Sequence, residues 1–182
     1  MAGHSAAVMA PAGNNPLLRA VAAISTLAGW CSAAMIVAAV AITCEMIFVR
    51  FVLNGSTIWQ TEAVVYLVVA ATLIGLPYVQ RLRGHVNVDL IPISLPRRAR
   101  KLLAIVTLTV SCAIVALMFW YGFDYWLYAW EKGWRSDTIW GVRLWIPYLA
   151  LPVGFGLYLL QLIADLVAVV LNIDHPFDLE DS

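Results

Sequence analysis

Charge is what this sequence has least of. Only 12% of its 182 residues are Asp, Glu, Lys or Arg, while 63% are hydrophobic and the mean hydropathy is +0.85. A soluble domain of this size could not hide so much apolar surface. Histidine is scarce too. His4, His85 and His175 all fall outside the long apolar runs, so haem held by histidine pairs inside a helix bundle is excluded. The three cysteines, Cys31, Cys44 and Cys112, show no paired spacing, which removes a disulfide framework and a metal site. They read as small buried hydrophobes. No Gly-rich phosphate loop ends in Lys-Ser or Lys-Thr, and no nucleophile–base signature occurs. Enzyme activity, a cofactor and a bound metal are therefore not expected, and nucleic acid finds no support either.

What remains is apolar and long. Four runs carry no charge at all: Ala20–Cys44, Ala63–Gln80, Leu102–Phe123 and Leu144–Ala164. Each is roughly 27–38 Å long as a helix, against a hydrocarbon core of ~30 Å. The fold class is an all-α integral membrane protein with four transmembrane helices. The first run is too long for the core of a signal peptide and reads as a retained helix.

The hinge between the halves is basic. Arg81, Arg83, Arg97, Arg98, Arg100 and Lys101 lie within one stretch whose sole acid is Asp89. Basic loops beside membrane spans stay cytoplasmic, so this loop between helices 2 and 3 sets the orientation. With Arg19 it puts seven bases inside, while Arg50, Lys132, Arg135 and Arg143 are left outside. Both termini are therefore expected in the cytoplasm. The loop could also attract anionic lipid head groups.

The finer organisation follows from local signals. Residues 1–16 are rich in Ala, Gly, Asn and Pro and read as a flexible tail; 17–171 form the membrane domain, and 172–182 an acidic tail. Helix 1 should run from about Leu17 through Cys44, with Phe51 as its furthest limit, and its small residues permit close packing. Asn54-Gly55 signals a turn, and Thr57-Ile58-Trp59-Gln60 fits a capping box that would start helix 2 near Ile58. Pro77 should kink the last turn of that helix. Helix 3 should follow Pro96 and run past Phe119-Trp120-Tyr121. Its far end, with Trp126, Trp130 and Trp134, and the next loop and helix, with Trp140 and Trp145, form aromatic belts for the periplasmic interface. Helix 4 should begin near Trp145 and end about Leu171. Its early prolines and glycines imply a kink or close packing there.

Acids beside the spans are the default candidates for function. Glu45, Glu62, Asp124 and Asp165 qualify. Arg50 can pair with Glu45 or Glu62 near the outer face, and Asp165 with Arg81 or Arg83 near the inner one. For the outer group a structural ion pair or an interface residue exposed to water is the better reading, ahead of a part in moving ions or substrate; for Asp165 it is a structural pairing. No charge lies near the middle of a span, which argues against a self-contained pathway.

Several motifs together resemble a family. They are Arg50-Phe51-Val52-Leu53-Asn54, then Trp59 with Glu62, and an apolar helix closing on Gly75. Arg83-Gly84-His85-Val86-Asn87-Val88-Asp89-Leu90 follows, with Leu95-Pro96 and a basic helix start. Ser136-Asp137-Thr138, Trp145-Ile146-Pro147-Tyr148 and Leu151-Pro152-Val153-Gly154 complete the set. In this order and spacing they resemble the small, DctQ-type membrane subunit of tripartite ATP-independent periplasmic (TRAP) transporters, over roughly residues 20–170. The resemblance implies a scaffold subunit of the bacterial inner membrane. Its partners would be a large membrane subunit driven by a cation gradient, usually sodium, and a periplasmic binding protein for an organic acid such as a dicarboxylate or sugar acid. It supplies no catalytic residues; Arg83, Gly84 and Asp89 enter as motif positions. The alternative is a stand-alone four-helix exporter, or an anchor for a respiratory complex.

Overall fold

Nothing between residues 20 and 44 interrupts helical pairing, since that run holds neither charge nor proline. The computed structural model, which describes residues 16–82 and 96–171, accordingly makes Pro16–Phe51 one helix of 36 residues, α1. That is ~54 Å of helix, well beyond a hydrocarbon core, so its ends project or the helix tilts. A turn follows in which Asn54 takes a positive φ of 48° and the Gly55 amide donates to the Val49 carbonyl at 3.0 Å. Helix α2 spans Gln60–Arg81 and α3 spans Arg97–Glu131, with Pro96 placed just before the first turn of α3. Two collinear pieces close the chain, α4 at Trp145–Tyr148 and α5 at Ala150–Val170. Four segments are long and apolar enough to cross a membrane: Pro16–Phe51, Gln60–Arg81, Lys101–Glu131 and Trp145–Val170.

One local expectation needs correcting, and the kink expected in the last span finds its place. Thr57 does not cap α2. The helix begins at Gln60, its N-cap is Trp59, and no side chain bonds the first turn. Gln60, the residue expected to complete the box, instead turns towards α1 and donates from Nε2 to Glu45 Oε2 at 3.3 Å. The last span is also broken at Leu149. Pro152 explains the break: it has no amide to offer the Tyr148 carbonyl, and its ring crowds that same oxygen.

The helices pack in a row. α1 lies along α2, α2 along α5, and α5 along α3, with a lighter contact between α1 and α5. Buried apolar positions are mostly small, among them Ala28, Ala39, Ala71, Ala104, Ala129 and Ala150. That suits helices associating in lipid, where no hydrophobic force separates helix from solvent and close backbone approach matters more. Along α1 and α3, Trp30, Val37, Phe51, Leu102, Leu117 and Trp120 stay exposed, as lipid-facing side chains do.

At Gly154 one helix comes close against the backbone of another. A β-carbon there would lie 2.7 Å from Leu73 Cβ and 2.8 Å from the Leu73 carbonyl carbon and oxygen. Leu73 precedes Pro77 by four residues, so its carbonyl has no helical amide partner. The buried Pro77 thereby leaves an open carbonyl where a glycine backbone fits against it. Nearby, Ser32 on α1 donates to the Ala71 carbonyl on α2 at 2.7 Å.

Candidate functional site

Between α3 and α4 the chain must reverse within a dozen residues, and it does so as a small hairpin. Arg135 and Arg143 form an antiparallel bridge, Ser136 donates its amide to Val142 at 2.9 Å, and Leu144 donates to Trp134 at 3.0 Å. The tip closes through the Gly141 amide on Thr138 at 3.0 Å, with Gly141 at φ +60°, a backbone state that glycine adopts without strain. This hairpin brings Ser136 and Thr138 over the first turn of α2.

There they meet Glu62. Its Oε1 accepts from Tyr66 Oη at 2.5 Å and from the Ser136 hydroxyl; its Oε2 accepts from Thr138 Oγ1 at 2.6 Å. A carboxylate in the first turn is also favoured by the positive end of the helix dipole. Beside it Trp140 of the hairpin packs on Trp59, ring centroids 6.2 Å apart. One acid thus ties the hairpin to α2. Replacing Glu62 by alanine removes three hydroxyl contacts at a half-exposed site, a loss of about 1–2 kcal/mol in local closing after allowing for solvent. The Ser136 and Leu144 amides should then exchange with deuterium roughly tenfold faster. Unchanged exchange at both would show that the acid does not hold the hairpin.

The aromatic side chains gather at this same end. Trp126 donates from Nε1 to the Trp145 carbonyl at 3.1 Å, and Trp130 stands edge-on to Trp145 at 4.6 Å. Trp134 meets Tyr125 at 5.9 Å and Tyr128 at 5.1 Å. Rings that bridge α3, the hairpin and α4 make this end rigid.

At the opposite end a second polar group crosses three helices. Ser25 on α1 donates to Gln161 Oε1 on α5 at 2.7 Å, a fully buried contact. Gln161 Nε2 donates to Asp165 Oδ1 at 2.7 Å, and Gln80 Nε2 on α2 donates to Asp165 Oδ2 at 3.1 Å. Arg81 reaches across to α1, donating to the Ala22 carbonyl at 2.7 Å and to the Thr26 hydroxyl. The two polar ends bracket an interior without charge.

The expected charge pairs map onto this arrangement as follows. Arg50 is exposed, and among the described residues no ion pair joins it to Glu45 or Glu62. Glu45 and Arg50 are five residues apart on one helix, about 140° around its axis, so they face different ways. Glu62 faces hydroxyls instead. Asp165 and Arg81 lie at the same end but turn to different partners, glutamines and α1 respectively. Arg83, Gly84 and Asp89 lie outside the described residues. Sequence reasoning missed Tyr66, Ser136, Thr138, Ser25, Gln80 and Gln161. For Ser136 and Thr138 the Ser-Asp-Thr motif was a usable signal; for the buried glutamines, a polar side chain inside an apolar run was.

Comparison with known proteins bears on most of this arrangement. A family model described as "Tripartite ATP-independent periplasmic transporters, DctQ component" matches residues 39–172. The C4-dicarboxylate TRAP transporter small permease protein DctQ of Vibrio cholerae serotype O1 (strain ATCC 39315 / El Tor Inaba N16961) is 27% identical over 137 residues. That alignment covers 64% of this chain and 59% of the relative, so the chain spans about three-fifths of the curated protein it matches.

Proposed function

Because this chain belongs to the DctQ component family of the tripartite ATP-independent periplasmic transporters, we propose that it is the small membrane subunit of one such transporter in a bacterial inner membrane. In that role it supports a large membrane subunit that carries the substrate, driven by a sodium gradient. A periplasmic binding protein delivers the cargo, an organic acid such as a dicarboxylate or a sugar acid. The name of the Vibrio relative, which specifies C4-dicarboxylates, favours the first of these.

One observation carries the reading: the charge-free middle of the four spans. Asp, Glu, Lys and Arg are absent from residues 20–44, 63–80, 102–123 and 144–164, and Gly154 packs closely on Leu73 between two of these spans. A carrier of an anionic substrate needs charged or broken-helix sites at mid-membrane. A support subunit needs only packing faces. The orientation that goes with this puts both termini and Arg81–Lys101 in the cytoplasm and the Glu62 hairpin in the periplasm, following the bias of basic residues.

A single preparation tests assembly and orientation. The tagged chain, carrying one cysteine at Asn87 or Asp137 in a cysteine-free background, is expressed with its cognate large subunit. The large subunit should be retained through purification in mild detergent. An impermeant thiol reagent applied from the periplasm should label position 137 and spare position 87. Loss of the large subunit contradicts the assembly, and periplasmic labelling at 87 contradicts the orientation.

A further inference from the structure

Asp124 takes no part in anything described above. It lies inside the third span, it is exposed, and among the described residues it has neither a hydrogen-bond donor nor a cation. An exposed carboxylate at the aromatic end of that span, without a cation from the protein, is open to one from a lipid headgroup. Its surroundings say what that could be. Met118, Tyr121, Tyr125 and Tyr128 repeat at spacings of three and four, so they share one face of α3 with Asp124 at its edge. Gly122, buried on that helix, lets α5 come close: a β-carbon there would be 3.3 Å from Leu151 Cβ. Between the helices lies a groove of about 430 Å³, with Asp124 and the three tyrosines on one wall and Leu151 and Phe155 on the other.

We propose that this groove binds the headgroup of an aminophospholipid by its primary ammonium. Asp124 is the sole acid in the lining and would accept N–H bonds from the ammonium. The tyrosine rings offer electron-rich faces to the same charge. Tyr128 already receives one such group, since Lys132 Nζ lies 5.7 Å from its ring centroid. The aromatic end of the bundle is where lipid headgroups meet protein. The exposed Leu117 and Trp120 beside the groove continue the apolar surface on which acyl chains would lie. A quaternary headgroup could use the rings but has no N–H for Asp124, and an anionic headgroup would be repelled by it. Charge complementarity therefore selects the primary amine.

Native mass spectrometry of the full chain tests this, with phosphatidylethanolamine, phosphatidylcholine and phosphatidylglycerol of matched acyl chains added in equal amounts. The ethanolamine lipid should be retained preferentially. Asp124→Asn should reduce its retention about tenfold, as expected for one lost charge-assisted hydrogen bond, while Asp124→Glu keeps it. Met118→Trp, which narrows the groove without touching the acid, should reduce it as well. Equal retention of all three lipids would mean unspecific lipid contact and overturn the proposal. So would Asp124→Asn retaining the ethanolamine lipid like the parent chain. Preference for the choline lipid would show recognition by the rings alone and would equally overturn it.

Discussion

Alanine in place of Gly154 should cost this protein substantial stability, and leucine there should leave no recoverable fold. The argument rests on which atoms stand in the way. The new β-carbon would lie 2.7–2.8 Å from Leu73 Cβ, its carbonyl carbon and its oxygen. Backbone cannot rotate aside as a side chain can, so α2 and α5 must separate. Those two helices join the α1 side of the row to the α3 side, so a local clash spreads to the whole arrangement. Overpacking of this kind typically costs 1–3 kcal/mol. At the upper end it lowers the melting temperature by about 6–12 °C for a chain of this length. Gly156 is the control. A β-carbon there would meet the Phe119 ring at 3.1 Å, and a ring can turn, so Gly156→Ala should cost much less. A Gly154→Ala protein that melts within a degree of the parent in the same detergent would show that the close approach carries no energy.

How much of this could be read from the residues depended on the range of the signal. The spans were legible because their ends are marked by charges, and a charge-free run of 18–25 residues has few other meanings. The starts and breaks of helices were less so. Thr57 to Gln60 looks like a local cap, yet Gln60 is recruited by Glu45 on another helix, and a tertiary contact outweighed the local one. The break at Leu149 was implied by Pro152, although which residue would leave the helix was not.

The candidate site was legible residue by residue and not as a constellation. Glu62 stood out as an acid in a first turn, but its partners Ser136 and Thr138 lie 74 and 76 positions away. Only the packing of α2 beside α4 and the hairpin brings them together. Arg50 was assigned a partner by depth alone; helical angle would have separated it from Glu45. Gly154 was recognised as a packing residue. Its partner, a carbonyl left open by Pro77, could be found only once the two helices were seen to cross.

The largest effect of all concerns transport: the account has this subunit carrying nothing by itself while the transporter fails without it. The first half follows from the charge-free middle of the spans. The second follows from what the chain offers instead. Its exposed faces on α1 and α3 are long and apolar, and the end bearing the hairpin is tied together by Glu62 and the tryptophan cluster. A large subunit deprived of that support would lose a packing surface, and with it the geometry that its substrate path needs. Uptake should then fall by at least about tenfold, which requires only ~1.4 kcal/mol of lost coupling. The direct measurement is uptake of radiolabelled organic acid into proteoliposomes under an inward sodium gradient, with the cognate binding protein outside. Vesicles holding both membrane subunits should accumulate substrate, and vesicles holding either one alone should not. Accumulation by vesicles that contain only this chain would contradict the account outright.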